Sequence, residues 1–120
     1  MSAALNGRSI LIVEDQFLAA INLEDTVRKA GVEMVELASC LEDAYELLDA
    51  ITFDVAFLDL RLKDVDALPL GEELVKQGMP VIVYSGHAEQ RCAEALPKAI
   101  ILHKPATPRQ ILRAVEEALA

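Results

Sequence analysis

Short apolar, β-branched runs alternate along the chain with longer segments in which apolar and polar positions mix. The short runs are SILIV (9–13), VEMVELA (32–38), DVAFL (54–58), PVIVY (80–84) and AIIL (99–102), and each predicts a strand. The longer segments carry helix punctuation. Segment 16–30 stops at Gly31, a residue able to take the left-handed backbone that closes a helix. Segment 40–50 follows Ser39, with Glu42 three residues on, the pattern of a capping box. Segment 67–77 follows Asp66 and stops at Gly78, and segment 88–95 is short. Segment 108–119 opens with Thr107-Pro108-Arg109-Gln110, a capping threonine with proline at the first helical position and glutamine at the third.

Five strands alternating with five helices predict right-handed crossovers, hence an α/β fold with a parallel sheet covered on both faces. Sheets of this kind bind ligands at the carboxyl ends of their strands. The first strand ends in Glu14-Asp15, the third in Asp59, the fourth in Ser85 and the fifth in His103-Lys104, while Ser39 ends the second as a cap. Asp59 interrupts the apolar run VAFLDLRL, and an ionised carboxylate is costly to bury unless it is paired or binds a metal.

Three carboxylates at one sheet edge repel one another unless a cation neutralises them. The donors are all oxygens, which suits Mg²⁺ better than zinc, with Mn²⁺ as a second choice. Each residue also has a plainer reading. Asp15 could cap the first helix, Glu14 could be a solvated neighbour, Asp59 could cap a turn, and Ser85 and Lys104 could be ordinary loop residues. The weight lies in the set, together with Pro105 directly after Lys104.

Composition narrows the class. The chain has 120 residues, enough for one domain, and its 53% hydrophobic and 26% charged content describes a folded protein. A net charge of −9 argues against direct binding of nucleic acid, whose phosphates are bound by clustered Lys and Arg. Cys40 and Cys92 are isolated, and buried free thiols in a reducing compartment are expected ahead of a disulfide between them. The N-terminal MSAALNGRS lacks an apolar signal core and no run is long enough for a bilayer span, so the expectation is a cytoplasmic protein without membrane insertion.

IVED (12–15), FLDL (57–60), VYSG (83–86) and HKP (103–105), at these spacings, resemble the receiver domain of two-component response regulators, and the resemblance covers essentially the whole chain. It implies a flavodoxin-like fold with strand order 2-1-3-4-5 and five flanking helices, and a single receiver over 1–120 with its core at about 8–119. It implies that Asp59 takes a phosphoryl group from a sensor histidine kinase or a histidine phosphotransfer protein. Asp15, Asp59 and the Arg61 backbone carbonyl would bind Mg²⁺, with Glu14 reaching it through water. Lys104 and the Ser85 hydroxyl would meet phosphoryl oxygens.

The sequence departs from the family pattern in several places. Glu14-Asp15 stands for the frequent Asp-Asp pair, a variant that keeps the metal ligands. Ile101 stands three residues before Lys104, where many receivers carry a switch aromatic, and Ala106 follows Pro105 where Phe is frequent. Ser85-Gly86-His87 resembles a subgroup, often stand-alone, with Thr-Gly-aromatic after the fourth strand. There Gly86 would permit a backbone excursion, the loop after Ser85 and the short fourth helix would carry the signal, and Tyr84 or His87 would partly replace the missing aromatic. His87 and Arg61 would also flank the phosphoryl group and influence its lifetime. An exposed loop histidine is the competing reading for His87.

Other chemistries fit less well. A haloacid-dehalogenase phosphatase needs Asp-x-Asp, and Asp59-Leu60-Arg61 lacks the second aspartate. A serine hydrolase needs a glycine two residues before the nucleophile, where Val83 stands. Glu14-Asp15 occupies the place of a dinucleotide-binding glycine turn. The remaining alternative is a receiver-like interaction module that is never phosphorylated.

Overall fold

The run Val55–Leu58 forms a strand, β3, with all four side chains buried, because both faces of the sheet are covered there. In the computed structural model, which describes residues 3–63, 65–86 and 94–120, the other elements follow the predicted alternation. They are a 3₁₀ turn (Ala3–Leu5), β1 (Ser9–Val13), α1 (Phe17–Lys29), β2 (Met34–Ala38), α2 (Leu41–Ala50), β4 (Arg61–Leu62), β5 (Val65–Asp66), α3 (Leu68–Lys76), β6 (Val81–Ser85), β7 (Ile100–His103) and α4 (Pro108–Leu119). The main sheet has the order β2-β1-β3-β6-β7, with every pair parallel. This is the flavodoxin-like order expected. Four α-helices are complete among the described residues. Of the segment expected as a helix over 88–95, residues 94 and 95 are helical and the rest lies outside the described residues.

Alternation along each strand sends side chains into two cores. Ile10, Ile12, Phe57 and Ile82 face α1 and α4, where they meet Leu23, Val27, Ile111 and Val115. Leu11, Val13, Leu58 and Val83 face the other side, with Leu70, Leu74 and Leu96. Each fully buried aliphatic side chain contributes about 1.5–3 kcal/mol, so two such layers hold the strand ends in register. Gly71 lets α3 come close: a Cβ there would lie 3.0 Å from Leu96 Cδ1 and 3.1 Å from Leu58 Cδ2.

Helix ends explain where the boundaries shift. After α1, Gly31 takes φ +112°, its amide donates to Arg28 and the Val32 amide donates to Val27. These paired bonds form a Schellman motif. Val32 is therefore occupied in ending the helix, and β2 starts at Met34 instead of 32. Gly78, at φ +83°, closes α3 in the same way, with Met79 donating to Leu74.

The capping box expected at Ser39 does not form. Helix α2 begins one residue later, with Cys40 as its N-cap and the Cys40 Sγ accepting from the Asp43 amide at 3.5 Å. Asp66 lies in β5, and from there its Oδ1 accepts from the Leu68 amide at 3.0 Å, while Ala67 is the N-cap. The Thr107–Gln110 box is present in both directions. Cys40 is a free thiol but half-buried instead of buried, since it stands at the helix N-terminus as the cap, and Cys92 lies outside the described residues.

Candidate functional site

Parallel pairing continues past the ends of the strands. The Glu14 amide donates to Ala38, the Asp59 amide to Val13 and the Lys104 amide to Ser85, each at 2.9 Å. The backbones of Glu14, Asp59 and Lys104 are thereby fixed to the sheet. Among the described residues, Glu14 and Asp59 are the buried polar groups, 4% and 9% exposed. Buried acids require partners, and both have them.

The Lys104 ammonium donates to Glu14 Oε2 at 2.6 Å and to Asp59 Oδ2 at 3.2 Å. The second oxygen of each acid accepts from an amide: Glu14 Oε1 from Gln16 at 3.0 Å, Asp59 Oδ1 from Arg61 at 3.1 Å. Asp15 does not cap α1, whose N-cap is Gln16. Its Oδ2 instead accepts from the Lys63 amide at 2.9 Å. Lys63 was not legible as a site residue. It holds φ +47°, where sequence signals favour Gly, Asn or Asp, and it contributes a main-chain group that no side chain announces.

Glu14, Asp15 and Asp59 each place a carboxylate oxygen within 4.8 Å of the others. At ~5 Å and an effective dielectric of ~20, each such pair repels by about 3 kcal/mol, which one ammonium only partly offsets. Desolvation raises the Glu14 pKa; its hydrogen bonds to Lys104 and to the Gln16 amide pull the other way, and the charge of Asp59 adds to the rise. Desolvation also opposes the Lys104 ammonium, but its bonds and charge pairing with Glu14 and Asp59 outweigh that, and its pKa is raised. An all-oxygen donor set with excess negative charge has the chemistry of a hard divalent cation site.

Residues 10–116 match the family described as response regulator receiver domain. The chain belongs to that family. This receiver is 33% identical over 88 residues to the sensory transduction protein LytT of Bacillus cereus, which covers 72% of this chain and 36% of LytT. It is 26% identical over 117 residues to the transcriptional regulatory protein PdtaR of Mycobacterium tuberculosis, covering 94% of this chain and 57% of PdtaR. The chain thus spans about a third to just over half of these curated relatives.

Among solved structures, a CheY-like receiver domain protein of Methanospirillum hungatei superposes with a TM-score of 0.83 at 26% identity, covering 95% of this chain and 94% of that one. A receiver protein of Sinorhizobium medicae gives 0.83 at 29% identity, covering 96% of each chain.

Six further positions are expected in or near the site. Ser85 is the half-buried last residue of β6, paired in register with His103, so its place is the same sheet edge as the acids. Tyr84 is buried, and its ring lies 5.2 Å from the Lys104 ammonium. Arg61 opens β4, a two-residue strand that pairs antiparallel with β5. Ile101 packs half-buried against the core on the α3 side, so an aliphatic side chain fills that place. Gly86 is exposed, has no positive φ, and a Cβ there would meet nothing within 4 Å among the described residues. His87 lies outside the described residues.

Proposed function

We propose that this receiver is a phosphoacceptor, with Asp59 the residue modified. The reading is carried by one observation: a buried aspartate at a strand end shares a lysine ammonium with Glu14 and has Asp15 within reach. An Asp59 carboxylate oxygen attacks the phosphorus of a phosphohistidine on a histidine kinase or phosphotransfer protein. The new O–P bond forms as the P–N bond breaks, and the imidazole leaves with its electron pair and takes a proton. The products are an aspartyl phosphate and a neutral histidine.

Phosphoryl transfer is governed by alignment and by neutralising charge on the three equatorial oxygens. The Lys104 ammonium, already at 3.2 Å from Asp59 Oδ2, pairs with one of them, and the Ser85 hydroxyl donates to another. Asp15, Asp59 and the Arg61 carbonyl would hold Mg²⁺, with Glu14 acting through water. Bound there, the ion supplies the charge that lets three carboxylates and a phosphoryl group share one edge. Arg61, and His87 outside the described residues, would flank that position and modulate the lifetime of the phosphoryl group, and the segment from Ser85 through the helix expected over 88–95 would carry the change to a partner.

The partner half of the reading rests on α1. Phe17 and Leu18 are 72% and 81% exposed, and Ile21 is 37% exposed, on the turns that directly follow Asp15. A protein whose histidine reaches Asp59 would cover these side chains, which explains why apolar groups stand in water beside the acids. No helix among the described residues is long and apolar enough to cross a membrane, and a cytoplasmic site of action is part of the proposal.

The test is incubation with Mg²⁺ and phosphoramidate, followed by intact mass. The expected result is the mass of one phosphoryl group, lost with Asp59→Asn or on removal of Mg²⁺. No labelling by phosphoramidate or by any histidine phosphodonor would sink the proposal and leave an unphosphorylated interaction module.

A further inference from the structure

The ring of Tyr84 forms a side of the Lys104 site that the acid cluster does not explain. The ammonium lies 5.2 Å from the ring centroid, inside the ~6 Å range at which an aromatic face attracts a cation. The ring is held in its plane. It is buried, and it meets Phe57 edge to face, with centroids 6.5 Å apart and an interplanar angle of 78°. Phe57 lies in the fully buried β3, two residues before Asp59, so the same strand supports both the acid and the ring.

The three contacts of the ammonium differ in what a divalent cation does to them. Glu14 and Asp59 are anionic, and a cation among the acids competes with Lys104 for both. The Tyr84 face is neutral. It has little affinity for a hydrated hard cation, which prefers oxygen ligands, so it stays with the ammonium when the carboxylates turn away. Lys104 is a flexible four-carbon chain with a side chain 18% exposed, and an ammonium released by its acids would otherwise swing toward water.

We propose, resting on the phosphoacceptor reading above, that Tyr84 is a positioning residue, which would keep the Lys104 ammonium at the phosphoryl-transfer position with Glu14 and Asp59 engaged by a divalent cation. The ring acts through Lys104 and touches no reacting atom.

The experiment compares the full-length wild type with Tyr84→Leu, Tyr84→Met and Tyr84→Phe. The maximal rate of labelling by phosphoramidate is measured at saturating Mg²⁺, and Mg²⁺ affinity is measured by calorimetry. Loss of the ring lowers the maximal rate about tenfold, equivalent to about 1.4 kcal/mol on the barrier, with Mg²⁺ affinity unchanged within twofold. Tyr84→Phe keeps the ring and rescues the rate, and Tyr84→Met supplies the ring-free variant if Tyr84→Leu does not fold.

The same substitutions in a Lys104→Met background separate positioning from packing. Acting through Lys104, the ring has no effect once the ammonium is gone. Equal losses in both backgrounds, or wild-type rates in the ring-free variants, overturn the proposal while the phosphoacceptor reading stands. A wild-type protein that takes no phosphoryl group overturns both.

Discussion

Lys104 and Glu14, 90 positions apart in the chain, meet at 2.6 Å, and the glutamate side chain is almost fully buried while the lysine is 18% exposed. It is shorter than the acids' contacts to the Gln16, Arg61 and Lys63 amides and than the Lys104–Asp59 pair, and it makes the ammonium an internal cation against two of the three clustered acids. Two consequences can be measured.

Lys104→Met removes the competing cation and leaves the acids facing one another. Mg²⁺ affinity is expected to rise about tenfold, since the lost ammonium no longer contests the carboxylates. The labelling rate is expected to fall by about 10²-fold or more, the usual effect of deleting a group that stabilises transition-state charge. Calorimetry and intact mass read the two effects separately. Weaker Mg²⁺ binding in the variant would contradict the competition.

Glu14 links the cluster to pH. Its pKa is raised by burial, so the folded state holds this proton more tightly than the unfolded chain, whose value is near 4.5. Stability from this group is therefore fully present below the unfolded value. It falls as pH rises from there through the folded value, and the deficit persists above it. In Mg²⁺-free buffer, Glu14→Gln removes that deficit: the variant gains on the wild type in urea unfolding at neutral pH, and the gain disappears toward pH 4. A pH-independent difference would show that shape, not charge, sets the effect.

The apolar first turns of α1 should matter to a protein phosphodonor and not to a small one. Phe17→Ala with Leu18→Ala is expected to slow transfer from a phosphorylated histidine protein by at least about tenfold, the usual scale for exposed aromatic and aliphatic anchors in an interface. Labelling by phosphoramidate should stay within twofold. Parallel losses with both donors would mean that the turn supports the site internally.

Leu58 is fully buried beside Asp59 and lies 3.1 Å from the place of a Gly71 Cβ. Leu58→Ala is expected to lower stability by about 2–5 kcal/mol, through lost burial and the cavity left behind. Denaturant unfolding monitored by circular dichroism measures the loss.

Much of this was legible in the sequence because it rests on side chains with strong periodic or chemical signals. VAFL is buried on both faces, Thr107 and Gln110 cap each other, and the acids and Lys104 sit where strands end. Boundaries were less legible where two local motifs compete for one residue. Val32 has the apolar character of a strand but serves the Schellman motif, and Ser39 matches a capping pattern that the backbone fulfils with Cys40.

No signal in the sequence marks the β4–β5 hairpin. RLKDVD offers neither an alternating run nor a glycine turn, and its contribution to the site comes from amides. The Tyr84 contact was also beyond sequence, since a ring and an ammonium 20 residues apart meet only through the register of β6 with β7.

That the Arg61 and Lys63 amides, not their side chains, hold Asp59 and Asp15 has a consequence for how this surface can change. A main-chain donor survives nearly every substitution except proline. The exposed side chain at 61 can therefore be exchanged for others of different size or charge, and the one at 63 for those that tolerate its φ of +47°, while the acids keep their aim. Variation there would retune what approaches the site and how long a phosphoryl group lasts, while the donors that aim the acids would be inherited intact.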